Sequence, residues 1–227
     1  MPEATVPVVQ EIPYMVLISG VVLVGLWLSN ILYDLKVPHY LSRKVAHIAG
    51  GAGFLLFVLL FKEPWWPIVV SGLFVLLMGG ARLFKPLTFR GTGGGGRFSE
   101  LWYPISGLLV FAVGWAWLNQ PMLSILCFLS MAWGDSATSI VRYKVYGKPV
   151  KGFWGSVAMF FTCLIIAWCF VQPIELGIII AIGATIAEYL CGDVSRVRWL
   201  RKIDDNLAIP IISLIILFGG LYALGQL

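Results

Sequence analysis

The most unusual chemical group in the sequence is Asp135, an aspartate that follows an uninterrupted run of apolar side chains. Because burial of a charge in the hydrocarbon region of a membrane is costly, such carboxylates usually face a polar cavity, a partner or a substrate. Helical spacing places Thr138, Ser139 and Arg142 on the same face as Asp135. An ion pair with Arg142 or with a cationic loop is the purely structural alternative. In both cases the sequence predicts a polar stripe on one face of this helix.

Other apolar segments carry polar groups close to one of their ends. Arg43, Lys44 and His47 stand at the start of one segment, Glu188 stands at the end of another, and Asp205 precedes a third. If these ends lie on the same side of a membrane, the groups occupy one layer. We therefore expect a polar pocket whose side chains come from separate helices.

A nucleoside triphosphate suits such a pocket, because its phosphates need cations and its Mg²⁺ is held by carboxylates and phosphate oxygens. Phosphoryl transfer depends mainly on positioning and on charge neutralisation. We predict catalytic roles for three carboxylates, which would also bind Mg²⁺ together with Asn206: Asp135, Glu188 and Asp205. The cationic groups that we expect to bind the nucleotide are Arg43, Lys44, Arg142, Lys148 and Lys151. An acceptor substrate could then enter sideways from the lipid.

The composition is that of a membrane protein, since 59% of the 227 residues are hydrophobic and 12% are charged, with a mean hydropathy of +0.91. About 20 apolar residues cross a bilayer as a helix. We predict an all-α integral membrane protein that forms a single polytopic domain over residues 1–227. About eight transmembrane helices are expected, at residues 14–33, 45–61, 66–84, 101–118, 121–141, 153–171, 174–190 and 207–225.

The basic residues are distributed very unevenly among the loops, and 15 of the 16 fall in alternate loops. Lysine and arginine accumulate in short cytoplasmic loops of membrane proteins. We therefore expect both termini on the non-cytoplasmic side and the polar site in the cytoplasmic half of the membrane. The basic loop residues are Lys36, Arg43, Lys44, Arg82, Lys85, Arg90, Arg97, Arg142, Lys144, Lys148, Lys151, Arg196, Arg198, Arg201 and Lys202.

At these residues the sequence resembles the polyprenol kinase family, which includes dolichol kinase, phytol kinase and the CTP-dependent diacylglycerol kinase. The family is distantly similar to the phosphatidate cytidylyltransferases. The matching pieces follow the family's order from the second predicted helix onward. They are Arg43-Lys44-x-x-His47, Gly134-Asp135-Ser-Ala137 leading to Arg142 and Gly147-Lys148, Lys151 with Gly155-Ser156, Glu188, and Asp205-Asn206-x-x-x-Pro210.

The resemblance implies a Mg²⁺-dependent transfer of the γ-phosphate of CTP to the hydroxyl of a membrane lipid alcohol at the cytoplasmic face. It also implies nucleotide contacts for His47, Ser156 and Asn206, although a packed histidine is an equal alternative for His47. We expect a multi-pass protein of a prokaryotic cell membrane whose partners are CTP, a lipid alcohol and the bilayer, without nucleic acid. The family often has a hydroxyl residue and a glutamate where this chain has Gly152 and Trp154.

Several alternatives remain open at the level of sequence. A CTP:phosphatidate cytidylyltransferase would need the same metal and nucleotide, and a small transporter could place Asp135 and Glu188 in a membrane cavity. The acceptor could be phytol, farnesol, a longer polyprenol or diacylglycerol. The glycine-rich residues 91–96 could form a connector or a phosphate-binding loop, and the basic residues 196–202 could bind lipid headgroups or the nucleotide.

Overall fold

The computed structural model describes residues 8–84, 91–92, 99–195 and 197–227. The regular structure in these ranges is helical, which confirms the predicted all-α class. The α-helices are α1 Val8–Asp34, α2 His39–Leu60, α3 Trp65–Phe84, α4 Ser99–Val110, α5 Pro121–Leu129, α6 Asp135–Tyr146, α7 Phe153–Phe170, α8 Ile174–Leu190 and α9 Asp205–Ala223.

Two π-helical turns extend these helices. Phe111–Trp117 continues α4, and Ser130–Gly134 joins α5 to α6, so that Pro121–Tyr146 form one 26-residue helix. A π-helical turn alters the register of the residues that follow it and often occurs at a functional site. The second of these turns ends immediately before Asp135.

Helical segments occur at all eight predicted positions. Within the described part of the chain, five helices are long and apolar enough to cross a membrane, and Trp65–Gly80 forms a shorter apolar helix. The five are Glu11–Asp34, His39–Leu60, Pro121–Tyr146, Phe153–Phe170 and Asp205–Ala223. The predicted number of eight spans and the predicted side of the termini remain predictions.

The 26-residue helix Pro121–Tyr146 is the centre of the structure, because most of its side chains are buried against other helices. Around it, α1 packs on α2, α3 packs on α4, and α7, α8 and α9 pack in sequence. The outer faces are apolar and exposed, as Trp27 and Trp168 illustrate. Exposed apolar surface of this extent is typical of a protein whose solvent is lipid.

Candidate active site

Three carboxylates converge at one end of the helical bundle. Asp135 is the first residue of α6, Glu188 lies in the last turn of α8, and Asp205 is the first residue of α9. Each offers an oxygen atom, and these atoms lie within 4.8 Å of one another. Asp135 and Glu188 are buried, whereas Asp205 is partly accessible. These three residues form the carboxylate cluster.

Buried cations accompany each member of the carboxylate cluster. Arg142 donates two hydrogen bonds to Glu188, from Nη1 to Oε1 at 2.8 Å and from Nη2 to Oε2 at 3.0 Å. Lys151 Nζ lies 2.7 Å from Glu188 Oε1 and 3.9 Å from Asp205 Oδ2, and it also donates to the backbone carbonyl of Glu188. Lys44 of α2 forms an ion pair with Asp135. Three buried cations thus balance three carboxylates, which offsets the cost of their burial.

The predicted polar face of α6 is buried and faces the cluster, because Asp135, Ser139 and Arg142 all lie inside the structure. Thr138 Oγ1 donates to the carbonyl of Gly134 at 3.0 Å and approaches the carbonyl of Gly155 at 3.1 Å. The second contact brings the start of α7 against α6. It thereby places Lys151, just before α7, beside Glu188.

Gly155 permits this close approach of α7 to α6. A Cβ atom at this position would lie 2.5 Å from Arg142 Nε, which is closer than side-chain carbons approach other atoms. Since Gly155 is helical, it gives no conformational advantage over alanine. The space beside the Arg142 guanidinium is therefore the physical reason for glycine here.

We expect Gly155→Ala to move Arg142 and to lower turnover of the substrates about tenfold, because small misplacements of positioning groups cost large factors in rate. The matched control is Gly72→Ala in α3, where an added Cβ meets nothing within 4 Å. The control variant should keep wild-type turnover. Equal activity of the two variants would show that Arg142 does not need its observed position.

The segment between α8 and α9 positions Asp205. Gly192 has φ +88°, which is a left-handed conformation that favours glycine, and a Cβ atom there would lie 2.8 Å from Asp205 Oδ2. The carboxylate of Asp204 caps α9 by accepting a hydrogen bond from the backbone N–H of Asn206 at 2.9 Å. Burial raises the pKa of the nearby Cys191 thiol, which therefore stays neutral beside the charged groups.

The other predicted nucleotide-binding residues lie at different distances from the cluster. Arg43 is half-buried and interacts electrostatically with Asp135. The Asn206 side chain is buried in the first turn of α9, while Ser156 is half-buried in the first turn of α7. Lys148 is exposed in the loop after α6, and no contact between it and the carboxylate cluster was found within the described ranges.

Trp154, which replaces the family's usual glutamate, lies at the surface and is 53% exposed. A Cβ atom at Gly152 would lie 2.8 Å from the hydroxyl of Tyr146. Position 154 thus lies at the surface of α7, outside the carboxylate cluster.

Some of the predicted features fall where the structure is not described. They are Lys85, Arg90, residues 93–98 including Arg97, the side chain of Arg82, and Arg196. The described beginning of the glycine-rich loop is buried, and Gly91 N–H donates to Asn30 Oδ1 at 2.7 Å. Arg198, Arg201 and Lys202 are exposed.

An apolar pocket adjoins the site, and no pattern in the sequence predicted it. It lies between the α1–α2 pair and the α3–α4 pair, with Phe128 of α5 at its base. His47 lines it together with Glu100 and Tyr103, which were not among the predicted site residues. The signal that could have drawn attention to this region is Glu100, a carboxylate at the start of the fourth apolar segment.

The comparisons give two relatives. The chain is 28% identical over 197 residues to a protein of Synechocystis sp. (strain ATCC 27184 / PCC 6803 / Kazusa) named "Phytol kinase", a match that covers 82% of this chain and 81% of the relative. It is 26% identical over 244 aligned positions to "Probable phytol kinase 3, chloroplastic" of Glycine max, covering 92% of this chain and 72% of the relative. No family model and no solved structure matches the chain.

Proposed function

We propose that this chain, which belongs to the polyprenol kinase family, transfers the γ-phosphate of CTP to the hydroxyl of a membrane lipid alcohol. The observation that carries the proposal is the convergence of three carboxylates and three buried cations, drawn from four helices and the loop before α7. Both relatives are named as phytol kinases. An isoprenoid alcohol such as phytol is therefore the first acceptor to test.

The oxygen donors of the cluster fit a Mg²⁺ ion, which prefers carboxylate and other hard oxygen ligands. Both oxygens of Glu188 already accept hydrogen bonds from Arg142 and Lys151. Asp135 and Asp205, with Asn206 beside them, are therefore the residues that would hold the ion. When bound, Mg²⁺ would neutralise charge on the triphosphate. Glu188 then has a separate role, which is to hold Arg142 and Lys151 in place.

The lysines of the site supply the remaining positive charge for the phosphates. Lys44 pairs with Asp135, and Lys151 lies between Glu188 and Asp205. From these positions both ammonium groups would be available to phosphate oxygens, while Glu188 keeps Lys151 in place. Arg43, which interacts electrostatically with Asp135, adds a further cation at the same place. Such groups accelerate phosphoryl transfer by positioning and charge neutralisation.

The site would face the cytoplasm of a prokaryotic cell. The support for this orientation is the concentration of lysine and arginine in alternate loops. Lys44, Arg142 and Lys151 belong to the same set of basic residues. The carboxylate cluster would therefore lie on the side where CTP is available.

The function can be tested with purified protein in detergent, Mg²⁺, CTP labelled in the γ-phosphate, and phytol. We expect CDP and a labelled phosphorylated alcohol in equal amounts, and less product with ATP at the same concentration. In a parallel reaction with phosphatidate in place of phytol, release of pyrophosphate would instead identify a cytidylyltransferase. Absence of turnover in detergent, together with substrate uptake into sealed vesicles, would identify a transporter.

A further inference from the structure

The apolar pocket has one polar end and one apolar end. The polar side chains His47, Thr92, Glu100 and Tyr103 line it near the starts of α2 and α4. The rings of His47 and Tyr103 are in contact, and the Tyr103 hydroxyl donates a hydrogen bond to the backbone carbonyl of His47 at 2.6 Å. This end of the pocket can therefore accommodate a small polar group.

The opposite end is lined by aromatic rings. Phe54 stacks between Phe111 and Phe128, with ring centroids 4.1 Å and 4.3 Å apart, and Phe57 lies one turn further along α2. From His47 to Phe57 the pocket follows ten residues of α2, or about 15 Å at 1.5 Å per residue. The pocket is thus long and apolar over most of its length.

The polar end of the pocket adjoins the carboxylate cluster. His47 lies one turn beyond Lys44 on α2, and Lys44 forms the ion pair with Asp135. The His47 side chain is buried, and its Nδ1 atom has no hydrogen-bond partner among the residues that the structure describes. One residue thus lines the pocket and lies beside the charged groups of the site.

From this arrangement we propose that the pocket holds the apolar chain of the acceptor alcohol, with the hydroxyl at His47 and the chain extending towards Phe57 and Phe111. The proposal rests on the proposed kinase function and adds the binding site of its lipid substrate. His47 would then contact the acceptor rather than the nucleotide, as its Nδ1 atom can accept a hydrogen bond from the hydroxyl. Because the pocket extends about 15 Å along α2, we expect it to hold a single chain of about that length or longer.

The wall between the pocket and the lipid consists of α1 and α3. Val22 and Leu26 of α1 and Phe74 and Met78 of α3 line the pocket. The opposite faces of both helices carry exposed apolar residues such as Trp27 and Leu76. Because α1 and α3 both line the pocket and both carry exposed apolar residues, we expect a lipid alcohol to enter between them.

Ser71 of α3 is suited to a test of the proposal, because it lines the pocket and is only half-buried. Gly79, near the end of α3, lies close to Leu101 at the start of α4, and α3 also contacts the π-helical turn Phe111–Trp117 that follows α4. The two helices therefore run in opposite directions. Ser71 therefore lies near Phe111, at the end away from His47. A large side chain there would shorten the pocket without touching the carboxylate cluster.

We expect Ser71→Trp to raise the KM for a 20-carbon isoprenoid alcohol by about tenfold or more, since lost burial of two methylene groups already weakens binding by about that factor. The KM for a 10-carbon isoprenoid alcohol, which does not reach Ser71, should change by less than about twofold. The matched control is Leu76→Trp on the outer face of the same helix, where Leu76 is 71% exposed. This control should resemble the wild type with both alcohols.

A second measurement separates this proposal from the kinase proposal. A 20-carbon alcohol with a photoreactive diazirine at the far end of its chain should label α2, α3 or α4 of the full protein, and Ser71→Trp should remove the labelling. If no alcohol is phosphorylated but this labelling pattern is found, the kinase proposal fails and the pocket proposal stands. Labelling elsewhere, or an unchanged KM for the long alcohol in an active Ser71→Trp variant, would overturn the pocket proposal.

Discussion

Replacement of Asp135 by asparagine is expected to abolish phosphorylated product, with a loss of turnover of about 10³-fold or more. Asparagine has the same size as aspartate, but it carries no charge to pair with Lys44. It would also remove one of the two carboxylates that we assign to the metal. The measurement is initial rate with labelled CTP and phytol, at saturating Mg²⁺.

The control for this variant is Asp193→Asn, because Asp193 is an exposed aspartate in the loop between α8 and α9. This control tests whether the loss of any negative charge near the site lowers the rate. We expect it to retain wild-type activity. Full activity of a folded Asp135→Asn protein would remove Asp135 from the mechanism.

Replacement of Glu188 by glutamine is expected to have the largest effect on stability. Glu188 is fully buried and forms ion pairs with both Arg142 and Lys151. Loss of one partner from a buried ion pair typically costs about 3–5 kcal/mol, since the remaining charge is left uncompensated. For a chain of this size the apparent melting midpoint in detergent should fall by roughly 6–20 °C.

Glu175→Gln is the matched control on the same helix, because Glu175 lies in the first turn of α8 and is exposed. We expect its melting midpoint to stay within about 2 °C of the wild type, as for most surface substitutions. Adding Lys151→Met to Glu188→Gln should recover part of the lost stability by removing one unpaired cation. Equal midpoints for the two single variants would show that the buried ion pairs do not hold α6, α8 and the start of α7 together.

The helices could be predicted from the sequence because they depend on local patterns. Uninterrupted apolar segments are bounded by Pro, Gly and charged residues, and the predicted helix at 174–190 matches Ile174–Leu190 in the structure. The π-helical turn Ser130–Gly134 could not be predicted, since no apolar periodicity marks it. The predicted helix ended at residue 141, whereas in the structure polar residues continue it to Tyr146.

The carboxylate cluster was predictable in its membership because ionisable groups are rare in apolar segments and belong to the same layer. Which cation pairs with which carboxylate could not be predicted. The alternative interpretation of Asp135 was an ion pair with Arg142 or with a cationic loop. Arg142 pairs with Glu188, and Asp135 pairs with Lys44, which is one of the basic loop residues. Those partners depend on how α2, α6 and α8 pack, which local sequence does not determine.

The apolar pocket was missed for a related reason. Apolar residues that line a pocket, such as Phe54 and Phe74, have the same sequence pattern as residues that fill a core. The space between them arises because α1 packs on α2 and α3 packs on α4 as two separate pairs. Only the assembled structure shows that His47 lies at the boundary between this space and the charged cluster.

The most direct test of the proposed metal and nucleotide site uses Mn²⁺ in place of Mg²⁺, monitored by electron paramagnetic resonance with purified protein and a non-hydrolysable CTP analogue. We expect one immobilised Mn²⁺ per chain when the nucleotide is present, and loss of that signal in both Asp135→Asn and Asp205→Asn, whose side chains belong to different helices. The Asp193→Asn control should bind Mn²⁺ as the wild type does. Unchanged nucleotide-dependent Mn²⁺ binding in the two cluster variants would contradict the proposal that these carboxylates form one site.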